Sequence, residues 1–403
     1  MFFSIVIPFR DTIKNITNCL DSIKNQNFHD YEVYLIDDGS SVDLKKYIIK
    51  KYKKTKLIVN KSNRGVSYSR NKGILKSKGK YIVFIDSDDL LSENFLSNVF
   101  KKLKNNKYDF LYIDSKNSKT NKINFNFIDK QNKDKFFLKK ITNFENFKIH
   151  SWNYIIRSNI VKKKLFLNNL KFYEDQVFIS NILLKKYKSA YLKNTHIIRN
   201  DENPNSLGRS IGVDVINTSI FCLNYFQSLK YKSKTAKDFI ISRINFYLKE
   251  ILKNLFFLND TQIEKIKHTL IKILNQKKNK INLEKKFKLI KNYKQRILND
   301  NSKYAVIYCF GQLGRIVFNF VRHKYKKLYI IDNNPSFNGR IIQNQMIYCH
   351  KDFIKRIKIK QKFTFLLVKN FIYSIYKYKK KIKKIKIFMI LLFNQYNLLN
   401  VIY

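Results

Sequence analysis

Residues 81–90 read Tyr-Ile-Val-Phe-Ile-Asp-Ser-Asp-Asp-Leu, an apolar run that ends in three carboxylates. The run predicts a buried strand with Asp86, Asp88 and Asp89 crowded at its carboxyl end, the edge where open α/β sheets bind their ligands. Such crowding calls for solvent or a cation, and a hard divalent ion can bridge carboxylates to a diphosphate. A second reading stays open, in which the acidic turn caps a helix starting at Leu91 or Glu93.

Working outward, short β-branched or aromatic runs alternate with helical stretches from residue 3 to about 114. Strands are expected at 3–8, 31–37, 56–60, 80–86 and 108–113. A helix is expected over 12–26, where Ile13, Ile16, Leu20 and Ile23 share a face. This alternation is the pattern of βαβ units and a parallel sheet. A second acidic turn follows the second strand in VYLIDDGSS, residues 33–41, with Asp37 and Asp38 at the same expected edge. It reads either as hydrogen-bond acceptors for a nucleobase or ribose, or as a bend allowed by Gly39 before the next helix. Between the two turns, NRGVSYSRNKGI (63–74) runs into a short helix carrying Arg64, Arg70 and Asn71, groups suited to an anionic nucleotide.

Composition narrows the class. With 81 Lys and Arg against 29 Asp and Glu, the net charge is +52, yet only about a dozen of the cations are Arg, and the Lys are spread end to end. No single basic patch or nucleic-acid motif stands out, so no nucleic-acid partner is expected. Dispersed Lys does favour contact with anionic headgroups, so peripheral attachment to an anionic membrane is an expectation. The opening FFSIVIPF reads as a core strand rather than a secretion signal, and the longest apolar candidate, 387–393, is too short to span a bilayer. A cytoplasmic protein, working at the inner face of the cell membrane, is expected. Cys19, Cys222, Cys309 and Cys349 lack the spacing of a zinc site or disulfide framework and read as buried thiols.

The acidic turns and the basic helix between them, in this order, resemble the family 2 glycosyltransferases of the GT-A fold over roughly residues 3–210. The resemblance implies an α/β nucleotide-diphospho-sugar transferase domain acting with inversion on a nucleotide-sugar donor, with UDP as the default nucleotide. It implies that Pro8 and Arg10, closing the first strand in SIVIPFR, contact the nucleotide, although the family more often carries an aromatic at the position of Arg10. By the same likeness Asp38 binds the base or ribose, and Arg70 lies near the nucleotide. Asp86 and Asp88 form an Asp-x-Asp motif for Mg²⁺ or Mn²⁺, with Asp88 as direct ligand. FYEDQVF (172–178) resembles the Glu-Asp motif of inverting members, making Asp175 the catalytic base and Glu174 its support; an acidic helix start is the plainer alternative. Trp152 in SWNYIIRSNIV reads equally as an acceptor-sugar platform or as core. Ser206 or Arg209 would belong to a loop closing over the diphosphate, and His196 is a further metal-ligand reading. The implied acceptor is a glycan or lipid-linked glycan in bacterial surface polysaccharide assembly.

Three regions are therefore expected: a GT-A domain over 1–212, a helical connector over 213–300 and a Rossmann-like α/β domain over 301–403. The last rests on strand, Gly311 and Gly314 turn, helix and strand ending at Asp332, with Cys309 where a dinucleotide fingerprint has its first glycine. An NAD-dependent sugar oxidoreductase centred on this domain is the main alternative, and a nucleic-acid-binding protein the second. Neither accounts for the acidic motifs of the first half.

Overall fold

The computed structural model describes residues 1–11, 13–41, 48, 50–118, 120–121, 123–124, 149–200, 212–274, 284, 287–288, 290–292, 294–295, 299, 304–308, 318–325, 327–331, 341–342, 345–348, 363–367 and 387–391. Two compact units are present, one of Met1–Gly208 with Leu229–Ser242 and one of Arg209–Ser228 with Arg243–Tyr403.

The first unit is built on one sheet. Strands β1 (Phe3–Phe9), β2 (Tyr31–Asp37), β3 (Thr55–Val59) and β4 (Tyr81–Phe84) are followed by β5 (Leu90–Leu91), β6 (Phe110–Asn117), β7 (Ile123–Asn124), β8 (Tyr154–Arg157) and β9 (Ser189–Arg199). Their order is β3-β2-β1-β4-β8-β6-β9-β5, with β7 paired to β6. Every residue of β1 and β2 is buried, as expected of strands covered on both faces. Helices α1 (Ile13–Lys24), α2 (Val66–Lys76), α3 (Phe95–Lys104), α4 (Ser158–Lys162) and α5 (Glu174–Leu183) also belong to this unit. Ile16, Cys19, Leu20 and Ile23 of α1 join Ile5, Ile7, Val33 and Val83 in the core; the side chain of Ile13 lies outside the described residues.

The pairings of β1, β2, β3 and β4 are parallel, as expected within 3–114, whereas β8, beyond that stretch, enters between β4 and β6 antiparallel to both, so the sheet as a whole is mixed. One reading needs correction. No helix starts at Leu91 or Glu93: Leu90 and Leu91 pair antiparallel with Ile198 and Ile197. Helix α3 begins only after Asn94, which is left-handed at φ 58.

Farther along lie α6 (Val213–Ser228), α7 (Lys234–Asn254) and α8 (Asp260–Leu274). Asn259 and Gln262 cap α8 reciprocally, each side chain accepting the other's backbone N–H at 2.9 and 2.8 Å. The second unit also holds a sheet of β10 (Tyr304–Tyr308), β11 (Lys327–Ile331), β12 (Ile341–Ile342), β13 (Gln345–Tyr348), β14 (Phe363–Leu367) and β15 (Ile387–Leu391), ordered β12-β13-β11-β10-β14-β15. All its pairings are parallel except β12 with β13. Gly311, Gly314, Asp332, Cys309 and Cys349 fall outside the described residues, as do Ser206 and Arg209. Among the described residues no helix is long and apolar enough to cross a membrane.

Candidate active site

The carboxyl ends of β1, β2 and β4 meet at one edge. Pro8 and Phe9 pair with Ile36 and Asp37, the Asp38 N–H donates to the Phe9 carbonyl at 2.9 Å, and Ile85, one residue before Asp86, donates to Val6 at 3.3 Å. Pro8 is buried inside the strand, whereas Arg10 extends into solvent beside Asp11, 3.4 Å away. The sequence thus delivers both acidic turns to the same rim.

Asp38 is buried and organises the loop that leads into α2. One carboxylate oxygen accepts from Asn60 Nδ2 and the Arg64 N–H, and the other from the Gly65 N–H, each at 2.9 Å. Gly65, at φ 87, lets the chain turn into the helix. Asp37 secures its own turn by accepting the Ser40 N–H at 2.8 Å.

Arg70, on α2, is the centre of the arrangement. It is 3% exposed. Its Nη2 donates to Asp86 Oδ1 at 2.8 Å, and its Nη1 donates to Glu174 Oε1 and Asp175 Oδ1, both at 2.9 Å. The guanidinium also lies 5.3 Å from the centroid of Phe166, a ring stacked on Phe178 at 3.9 Å. One planar donor therefore joins the acidic turn after β4 to the first turn of α5, where the helix N-terminus also favours negative charge.

The electrostatics follow from three carboxylates sharing one cation. Burial favours the neutral form of Glu174 and Asp175. For Asp175 that effect is outweighed by Arg70, then by His150, and its carboxyl stays below the usual range. Glu174, buried beside the charge of Asp175 and only partly compensated by Arg70, is pushed up. Asp89 is pushed well up by burial and then by Asp86 and Asp88, although it accepts the Asn200 N–H at 3.0 Å. Burial and the same acidic turn raise the thiol of Cys19, whose sulfur lies 3.8 Å from the Asp86 carbonyl.

This surplus of negative charge bears on the metal. Among the described residues no group of three or more His, Cys, Asp or Glu gathers in a way that would hold an ion. Asp86 and Asp88, both partly exposed, offer hard oxygen donors that fit Mg²⁺ or Mn²⁺ if a diphosphate and water complete the shell. His196 is half-buried on β9 opposite Asp114, its backbone tied to Ser92.

Sequence reasoning missed His150. Its ring stacks on Trp152 at 4.8 Å and 9°, and its Nδ1 lies 3.8 Å from Asp175 Oδ2. Trp152 is 4% exposed, with Arg199 also against its ring at 5.0 Å. That ring is packed away, whereas the imidazole beside Asp175 is 32% exposed.

Residues 4–165 match the family described as glycosyl transferase family 2. An uncharacterized glycosyltransferase of Rickettsia bellii is 40% identical over 109 residues, which are 27% of this chain and 16% of that much longer protein. The cholesterol galactosyltransferase of Borreliella burgdorferi is 25% identical over 371 residues, 87% of this chain and 97% of its own length. Among solved structures, S. aureus TarS superposes with a TM-score of 0.58 at 20% identity, covering 73% of this chain and 89% of the TarS chain. TarS has also been solved in complex with UDP-GlcNAc. The curled mixed sheet of the first unit is the GT-A fold, and the chain is an enzyme carrying a glycosyltransferase family 2 domain.

Proposed function

We propose that this enzyme transfers a sugar from a UDP-sugar to the hydroxyl of a glycan or lipid-linked glycan, with inversion and with Mg²⁺ or Mn²⁺. The observation that carries the reading is Arg70, whose three charge-assisted bonds tie Asp86 at the expected diphosphate edge to Glu174 and Asp175. Leaving-group stabilisation and proton removal are then held in one rigid frame.

In this reading Pro8, Arg10 and the loop braced by Asp38 border the nucleotide, and Asp86 and Asp88 address the diphosphate, where the bound ion would neutralise the charge that develops on departure. The acceptor hydroxyl attacks the anomeric carbon as the bond from that carbon to the diphosphate oxygen breaks. Asp175 takes the hydroxyl proton, and the bonding electrons leave with the diphosphate. Arg70 keeps Asp175 ionised at neutral pH. Glu174 shares the guanidinium, and its raised proton affinity limits the charge stored in the pocket.

The UDP-GlcNAc complex of TarS supports a nucleotide-sugar donor, at the level of a shared fold. The strand order of the second sheet supports a Rossmann-like reading of residues 301–403. Counting its parallel strands along the chain, the order is third, second, first, fourth, fifth. Assembly of a surface glycan at the inner face of the cell membrane completes the proposal.

A screen of UDP-, GDP- and CDP-sugars, reading released nucleotide with and without Mn²⁺, tests it. Metal-stimulated release from one donor class is expected. No release from any donor, with or without glycan acceptors, would overturn the reading.

A further inference from the structure

Lysines cover this protein, and among the described residues the seam between α2 and α4 combines them with bare leucine side chains. Leu75 near the end of α2 is 59% exposed and Leu165, just beyond α4, is 36% exposed. The two leucines flank one seam. Asn71, one turn before Leu75, donates to the Phe166 carbonyl at 2.8 Å and accepts its N–H at 2.9 Å. On the other side Lys162 Nζ donates to the carbonyl of Ser77 at 2.7 Å. Leu75 lies between Asn71 and Ser77 in sequence, and Leu165 between Lys162 and Phe166, so the two pairs of contacts bring both leucines to the same junction.

Around the seam stand Lys76, Lys78, Lys163 and Lys164, all exposed. Among the described residues none of the four forms an ion pair. Glu32, the carboxylate that accepts the Lys78 N–H at 2.7 Å, is buried and held by Lys56 at 2.6 Å and by Ser4 at 2.7 Å. The patch lies at the amino end of β4, where Tyr81 pairs with Arg157, the residue before α4. Tyr81 and Asp86, at the two ends of β4, are roughly 17 Å apart at about 3.3 Å per residue, so Lys78 stands toward the edge opposite the acidic turn, while Leu165 adjoins Phe166, whose ring lies 5.3 Å from the Arg70 guanidinium.

From this juxtaposition we infer that the seam between α2 and α4 docks on an anionic lipid bilayer, Leu75 and Leu165 entering the headgroup boundary and the four lysines meeting lipid phosphates. Apolar side chains ringed by unpaired lysines suit an interface that is apolar within and negative at its surface, and long lysine stems let the ammonium groups stay at headgroup level. A nucleic acid would use the cations but leave the leucines wet.

The inference is independent of the donor chemistry, and binding of the full chain to vesicles tests it without any sugar. Co-sedimentation with phosphatidylglycerol/phosphatidylcholine vesicles is expected to be strong at low salt and weak on pure phosphatidylcholine. At about 1 kcal/mol per lysine at such a surface, the triple change Lys78→Gln, Lys163→Gln, Lys164→Gln lowers partitioning about 10²-fold. Leu75→Ser with Leu165→Ser lowers it by about 10-fold. Lys237→Gln, Lys265→Gln, Lys272→Gln, equal in charge and remote in sequence, is expected to change it less than about 3-fold. Circular dichroism of each variant checks folding. Equal losses in the two lysine triples, no loss with the leucine pair, or tighter binding to single-stranded RNA than to the vesicles would each overturn the inference. Vesicle binding without sugar transfer would overturn only the catalytic proposal.

Discussion

Replacing Arg70 by Lys keeps the charge and removes the fork. The native guanidinium makes three bonds of 2.8–2.9 Å to Asp86, Glu174 and Asp175 from a site 3% exposed. A lysine ammonium is a compact donor on a different stem and cannot span all three carboxylates. Each charge-assisted hydrogen bond contributes about 1.5–3 kcal/mol, and breaking a buried pair costs about 3–5 kcal/mol because a charge is left uncompensated. Losing two of the three contacts while retaining a nearby cation is expected to destabilise the first unit by about 3–4 kcal/mol. At roughly 2–4 °C per kcal/mol for a unit of this size, Tm falls by about 10 °C. Thermal unfolding followed by circular dichroism at neutral pH measures it, and donor turnover should fall in parallel. A Tm within about 2 °C of the parent would refute the idea that this guanidinium holds the two acidic segments together.

Three further outcomes are expected. Asp88→Asn should abolish the metal-dependent part of nucleoside diphosphate binding, measured by titrating UDP with and without Mn²⁺; an unchanged metal increment would remove Asp88 from the ion's ligands. Glu32 is held at about 2, below its usual 4.5, because Lys56, Ser4 and the Lys78 N–H together outweigh its burial. A depressed carboxyl stabilises the fold above its unfolded value and loses that contribution as pH falls from about 4.5 toward 2, so Glu32→Gln should cost about 2 kcal/mol at pH 7 and flatten the acid limb of the stability curve. Urea midpoints between pH 3 and pH 7 check this, and an undiminished acid slope would contradict it. Gly39→Ala would force a side chain onto φ +76 with its Cβ 2.6 Å from the Ser62 backbone, so a loss of about 1–3 kcal/mol together with weaker donor binding is expected, and a stable, tightly binding variant would show that the turn can move.

The parts of the site that were legible in the sequence are those written in consecutive residues. Buried runs ending in Asp37–Asp38 and Asp86–Asp88 announce strands with acidic turns, and the structure brings both turns to one edge. The Glu-Asp pair was legible as a helix start, and α5 begins at Glu174. What joins them was not. Arg70 sits 104 and 105 residues from its partners on α5, and no local pattern encodes a bond across that separation. The direction of β8 was hidden for a related reason, since YIIR reads as buried whichever way it runs. Strand β9 escaped because its exposed Lys193 and Asn194 and the register shift after Ile113 break the alternation that marks a strand. His150 was silent because its stacking on Trp152 and its approach to Asp175 depend on tertiary packing.

The most direct test of the account is Asp175→Asn, which keeps the shape of the side chain and removes its ability to take a proton. General-base catalysis contributes about 10²- to 10⁴-fold, so kcat should fall by that order while the Kd for the donor, titrated on the same protein, stays within about 2-fold. Weakened donor binding with turnover spared would assign Asp175 to the nucleotide site and contradict the proposed mechanism.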